Sequence, residues 1–111
     1  MDIYFRTKKL QKICSEEKEM RKQLGMKCAE KLEQRMMELK AADTLSDISY
    51  LPPSRCHELT GKRAGQLSVD LENPYRLLFF PANDPIPRLK GGGINRARVT
   101  KIEIIEIVDT H

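Results

Sequence analysis

Residues 56–80 read "CHELTGKRAGQLSVDLENPYRLLFF", and the second half of this stretch decides the fold. Leu67, Val69 and Leu71 alternate with Gln66, Ser68 and Asp70. Tyr75, Leu77 and Phe79 then alternate with Arg76, Leu78 and Phe80. A period of two marks pleated strands, and "ENP" between the runs supplies turn chemistry, so the spacing predicts an antiparallel hairpin. The second strand is apolar on both faces except at Arg76, which predicts a central strand carrying one charge that needs a partner or a ligand.

Working outward, "KIEIIEIV" (101–108) predicts a last strand whose alternation slips between Ile104 and Ile105, as at a bulge or in a strand buried on both faces. At the other end, Ile3 and Phe5 share one face of a short first strand over residues 2–6. Thr7 is placed to cap a helix with apolar positions Leu10, Ile13, Cys14, Met20 and Leu24, ended by Gly25 in a left-handed turn. A second amphipathic helix follows, with Ala29, Leu32, Met36 and Leu39 at three-and-four spacing, and this stripe is read as core. "DTLSDISYLPP" (43–53) reads as a short capped helical turn stopped by Pro52 and Pro53. The order predicts an α+β fold: an N-terminal strand and a two-helix hairpin packed on a small, mainly antiparallel sheet.

A chain of 111 residues is expected to form a single domain over 1–111. Its Pro- and Gly-rich connection at about 81–100, with Gly91 to Gly93, is expected to be a flexible loop. That triple glycine lacks the strand-to-helix context of a phosphate-binding loop. No apolar run approaches the roughly 20 residues of a membrane span, and "MDIYFRTKKL" lacks the apolar core of a secretory signal. A cytoplasmic protein without membrane contact is expected. Cys14, Cys28 and Cys56 are an odd number without paired spacing, so neither a disulfide framework nor a zinc site is indicated, and no metal or cofactor is expected. Cys56 stands beside His57, but neighbours on an extended segment point to opposite sides, which argues against a catalytic cysteine.

Charged residues make up 32% of the chain, and 20 Lys and Arg against 16 Asp and Glu leave +4. From Arg88 to Lys101 five basic residues, Arg88, Lys90, Arg96, Arg98 and Lys101, stand with no acid among them. Such a cluster suits a polyanion, an acidic protein or a solvated loop.

"LPPSRCHELTGKRAGQLSVDLENPYRLLFF" (51–80), followed by a strand ending in "EIVDTH" (106–111), resembles the RelE/ParE toxin superfamily, in its HigB-like plasmid maintenance killer protein branch. The likeness is carried by the proline pair, by His57, Leu59 and Gly61, by Arg63, Gly65 and Ser68, by Tyr75, Arg76, Leu77 and Phe79, and by the terminal Asp109 and His111. The resemblance implies the toxin of a type II toxin-antitoxin system, a metal-independent endoribonuclease that enters the ribosomal A site and cuts messenger RNA. Its implied partners are the ribosome, the messenger and a helix-turn-helix antitoxin, with operator DNA reached only through the antitoxin complex. Two other functions suit the same fold: a ParE-like inhibitor of DNA gyrase, and a catalytically decayed toxin that serves as an antitoxin- or operator-binding module.

RNA cleavage without metal needs a base for the 2′-hydroxyl proton, positive charge for the phosphorane-like transition state and an acid for the leaving oxygen. On the resemblance, Arg76 is the expected phosphate clamp and His111 the expected acid or base. Asp109 is expected to hold the imidazolium of His111, and Lys62 and His57 are further catalytic candidates. His57 is read equally as a structural residue, and Arg76 alternatively as half of an ion pair with Asp70 or Glu72. Arg55, Arg63, Arg96, Arg98 and Lys101 are the expected RNA-binding residues. Three positions depart from the family pattern: Thr60 stands about where some members carry a catalytic lysine, Thr110 where relatives place an aromatic residue, and Glu72 where a cation would help hold phosphate.

Overall fold

The computed structural model describes residues 1–109. Five strands form one sheet: β1 (Asp2–Phe5), β2 (His57–Glu58), β3 (Leu67–Asp70), β4 (Tyr75–Pro81) and β5 (Lys101–Asp109), in the order β1-β5-β4-β3-β2. Every neighbouring pair is antiparallel except β1 with β5. Three helices, α1 (Lys8–Ser15), α2 (Glu17–Leu24) and α3 (Met26–Ala41), join β1 to the rest. This is the expected α+β layout, with β4 central as its two-sided apolar pattern requires.

The expected single helix before Gly25 is divided at Glu16, which is extended at φ −114°, ψ 114°. The six-residue step from Cys14 to Met20 gives the reason. In an unbroken helix that step would turn Met20 about 120° away from Cys14; with the break, both are buried. Thr7 caps α1, its Oγ1 accepting from the Leu10 N–H at 3.1 Å, and Gly25 ends α2 at φ +80°. The α3 stripe of Ala29, Leu32, Met36 and Leu39 is buried as expected.

The core lies between the helices and one face of the sheet. On that face Leu67, Val69, Leu77, Phe79, Ile102 and Ile104 are fully buried. The slip in β5 is a bulge: Leu78 stands opposite Glu106 but Phe79 opposite Ile104, leaving Ile105 as the extra residue. It keeps Ile104 and Ile107 both packed on the core, which strict alternation would forbid.

The connection from β4 to β5 is tied down along its length. Ile94 and Val99 are buried, the Val99 carbonyl accepts from the Leu45 N–H at 3.0 Å, and the Asn83 Oδ1 accepts from the backbone N–H groups of Thr100 and Lys101. Its glycines close a turn in which the Leu89 N–H donates to the Gly93 carbonyl at 2.8 Å.

Candidate functional site

The sheet face turned away from the helices collects four of the residues singled out in the sequence, Arg55, His57, Arg63 and Arg76. Cross-strand partners share a face, so the register places His57, Ser68, Leu78 and Glu106 in one row and Asp70, Arg76 and Val108 in the next. Phe80 and Glu103, with Tyr4 beyond them, make the row on the other side.

Arg76 lies on β4 with its side chain 18% exposed, and its Nε is 3.5 Å from Asp70 Oδ1. Arg55 approaches the other oxygen, Nε to Oδ2, at 2.9 Å. One carboxylate therefore serves two guanidinium groups. Arg55 itself adopts φ +46°, in the left-handed region that few residues with a side chain occupy. That turn swings the chain from the proline pair into β2, and the Arg55 carbonyl accepts from Nδ1 of His57 at 2.8 Å. A carbonyl only accepts, so Nδ1 carries the proton and the neutral ring keeps its lone pair on Nε2.

Lys62 and Arg63 sit in a 3₁₀ turn, Gly61–Arg63, between β2 and β3. Arg63 Nη1 meets Glu106 Oε2 at 3.2 Å, and Lys62 is exposed. Arg6, just past β1, meets Glu103 Oε1 at 3.4 Å and lies over the Phe80 ring, 5.7 Å from its centroid. The face thus carries Arg6, Arg55, Arg63 and Arg76 against Asp70, Glu103 and Glu106. Beneath this layer Gln66 Oε1, just before β3, and Ser68 Oγ and Asp70 Oδ1 within it are buried without a hydrogen-bond partner.

The remaining expected residues are dispersed. Arg96 donates from Nη1 to the Cys56 carbonyl at 3.1 Å, which ties the long connection to the start of β2. Arg98 is exposed in the 3₁₀ turn that precedes β5. Lys101 opens β5 at the far end of the sheet, seven residues from the position opposite Arg76, or roughly 20 Å at strand rise. Asp109 closes β5 opposite Tyr75, so it shares the face of Tyr75 and Leu77 and not that of Arg76, although the strand runs toward the Arg76 end of the sheet. His111 and Thr110 lie outside the described residues.

Cys56 is fully buried in the core, and burial pushes its thiol up to about 11. It has no part in the charged face, where His57 is half-buried on the opposite side of the chain. No group of three or more metal-ligating side chains forms among the described residues, and no helix is long and apolar enough to cross a membrane.

Sequence reasoning missed Arg6, Glu103 and Glu106 as members of this face. The signal for the two glutamates was present: a bulge at Ile105 brings residues three apart in β5 onto one side. Arg6 becomes a neighbour only through the parallel pairing of β1 with β5, which links residues nearly a hundred positions apart.

No family model and no curated protein matches the sequence. Among solved structures, the YoeB/ParE toxin from Agrobacterium tumefaciens is similar over 100% of both chains, with a TM-score of 0.58 at 13% sequence identity. The fold is therefore RelE/ParE-like over the whole chain.

Proposed function

We propose that this protein is the toxin of a type II toxin-antitoxin pair and acts as a ribosome-dependent endoribonuclease on messenger RNA, held in check by a helix-turn-helix antitoxin. The observation that carries the proposal is the convergence of Arg55, His57, Arg63 and Arg76 on one sheet face of a whole-chain RelE/ParE-like fold. His57 is suited to take a proton because its Nδ1–H is fixed on a carbonyl and its Nε2 lone pair is left to accept. Arg76, flanked by Arg55, supplies the fixed charge that a pentacoordinate phosphate demands. His111 is the further proton-transfer group of the proposed set, with Asp109, the last residue of β5, its proposed holder.

A second reading has its own observation in support. Arg6, Arg55, Arg63 and Arg76 all meet a carboxylate on the same face, and such neutralised surfaces suit a binding module that contacts an antitoxin without cutting RNA. Controlled expression in a bacterial host separates the two. The nuclease reading expects growth arrest by the wild type, loss of arrest in Arg76→Ala and His57→Ala, and messenger decay without DNA damage. Growth unaffected by a folded wild-type protein contradicts it, and arrest with intact messenger and broken DNA turns the reading toward gyrase.

A further inference from the structure

Between the end of β3 and the start of β4 lies a cleft of about 210 Å³, bordered by Arg55, Asp70, Asn73, Tyr75 and Arg76. At ~30 Å³ per water it has room for about seven waters, enough for one phosphate group and the atoms attached to it. Two guanidinium groups border this space and one carboxylate stands between them.

The way Asp70 is held is unusual. A well-made guanidinium–carboxylate pair is bidentate with N–O distances of roughly 2.7–2.9 Å. Here the Arg76 Nε lies 3.5 Å from Asp70 Oδ1, and that oxygen is buried without a hydrogen bond. The contact with Arg76 is loose, whereas Arg55 Nε holds the other oxygen at 2.9 Å and the backbone of Asp70 is firmly tied. Its N–H donates to the Ser54 carbonyl at 2.8 Å, and its own carbonyl accepts from the buried Arg35 Nε at 2.8 Å. Asp70 is thus a fixed point from which a carboxylate reaches between two arginines without satisfying both.

We propose that Asp70 is a built-in counter-ion at the phosphate clamp of Arg76 and Arg55, and that it sets the affinity of this cleft for a single phosphate group by competing with the incoming anion. A phosphate oxygen offers the same negative charge with more acceptor sites, so it can engage the Nη groups of both arginines at once. The carboxylate then remains as a like charge beside it, which weakens binding and makes occupancy selective for ligands with further contacts along the sheet. This inference rests on the proposed function, in which Arg76 and Arg55 supply the charge that meets phosphate.

The test compares wild type, Asp70→Asn and the Arg55→Gln, Arg76→Gln double variant, with inorganic phosphate and a 2′-O-methyl oligoribonucleotide as probes. Arginine Nε–H resonances report phosphate binding, and titrations at several salt concentrations report oligonucleotide binding. Asp70→Asn is expected to bind both probes on the order of tenfold more tightly. Its oligonucleotide salt slope should steepen by roughly 0.7, the equivalent of one single-strand phosphate contact. The double variant is expected to lose phosphate binding. Unchanged or weaker binding by Asp70→Asn overturns the counter-ion role, and phosphate binding that survives the double variant overturns the site. Phosphate binding that follows this pattern, with no oligonucleotide binding, leaves the site standing and removes RNA as its ligand. Asp70→Ser, which also removes the charge and retains the backbone contacts, replaces Asp70→Asn should the latter not fold.

Discussion

Arg35 is the one charge in the buried stripe of α3, and its removal gives the sharpest test of how the site is supported. Its side chain is 2% exposed. Nε donates to the Asp70 carbonyl at 2.8 Å, and Nη1 reaches both oxygens of Glu38 at 3.1 and 3.3 Å. Glu38 in turn accepts from Ser54 Oγ at 3.0 Å. Arg35→Met keeps most of the buried stem but deletes every one of these donors. A hydrogen bond to a charged group contributes about 1.5–3 kcal/mol, and breaking a fully buried ion pair costs about 3–5 kcal/mol. Glu38 remains one-third exposed and keeps Ser54, so water screens part of the loss. A cost of about 3 kcal/mol follows, which for a chain of this size lowers Tm by roughly 12 °C. Urea and thermal unfolding followed by circular dichroism measure it. A loss below about 1 kcal/mol would refute the idea that Arg35 anchors β3 and, through Asp70, the two arginines.

Burial pushes Cys14 up to about 12 and Cys56 up to about 11, and raises Cys28, so the folded state favours the neutral thiols. In the unfolded chain these thiols ionise near the ordinary thiol value of 9.0, and stability should fall as pH rises from about 9 toward 11–12, where the folded thiols themselves ionise. The check is the urea midpoint between pH 8 and 11; a midpoint that rises over this range contradicts the burial of the thiols, as does rapid labelling of native protein by a thiol reagent at pH 8. Deleting Ile105 removes the extra residue of the bulge and leaves Ile104 opposite Phe79, Glu106 opposite Leu78 and Ile107 opposite Leu77, so the alternation becomes regular and both isoleucines keep the core face. A deletion variant that still unfolds cooperatively is expected, and loss of the cooperative transition would contradict the register.

Much of the fold is legible along the chain because its elements announce themselves locally. The β3–β4 hairpin follows from two alternating runs around "ENP", and the bulge from the doubled isoleucine in β5. The helix break at Glu16 is legible only through the six-residue step from Cys14 to Met20. Strand β2 spans just His57 and Glu58, too short for any periodicity; it exists because β3 offers it a ladder. The candidate site divides the same way. The pairing of Arg76 with Asp70 follows from the hairpin register, one of the two partners expected for it. The contact of Arg55 with the same carboxylate depends on a left-handed residue and a 3₁₀ turn, neither of which leaves a periodic signal. Arg96 and Lys101 belong to a basic run in sequence, yet the connection folds inward at Ile94 and Val99, so Arg96 binds the Cys56 carbonyl while Lys101 opens β5.

The central claim is that the arginine-bearing sheet face cuts messenger RNA on the ribosome. Primer extension on a reporter messenger in a bacterial cell-free translation mixture, with and without ribosomes, tests it most directly. The account predicts discrete cuts by the wild type that require ribosomes and disappear in an Arg76→Ala, His57→Ala variant shown to be folded. An intact messenger in the presence of folded wild-type protein and active ribosomes, or cuts that persist unchanged in the variant, would contradict it.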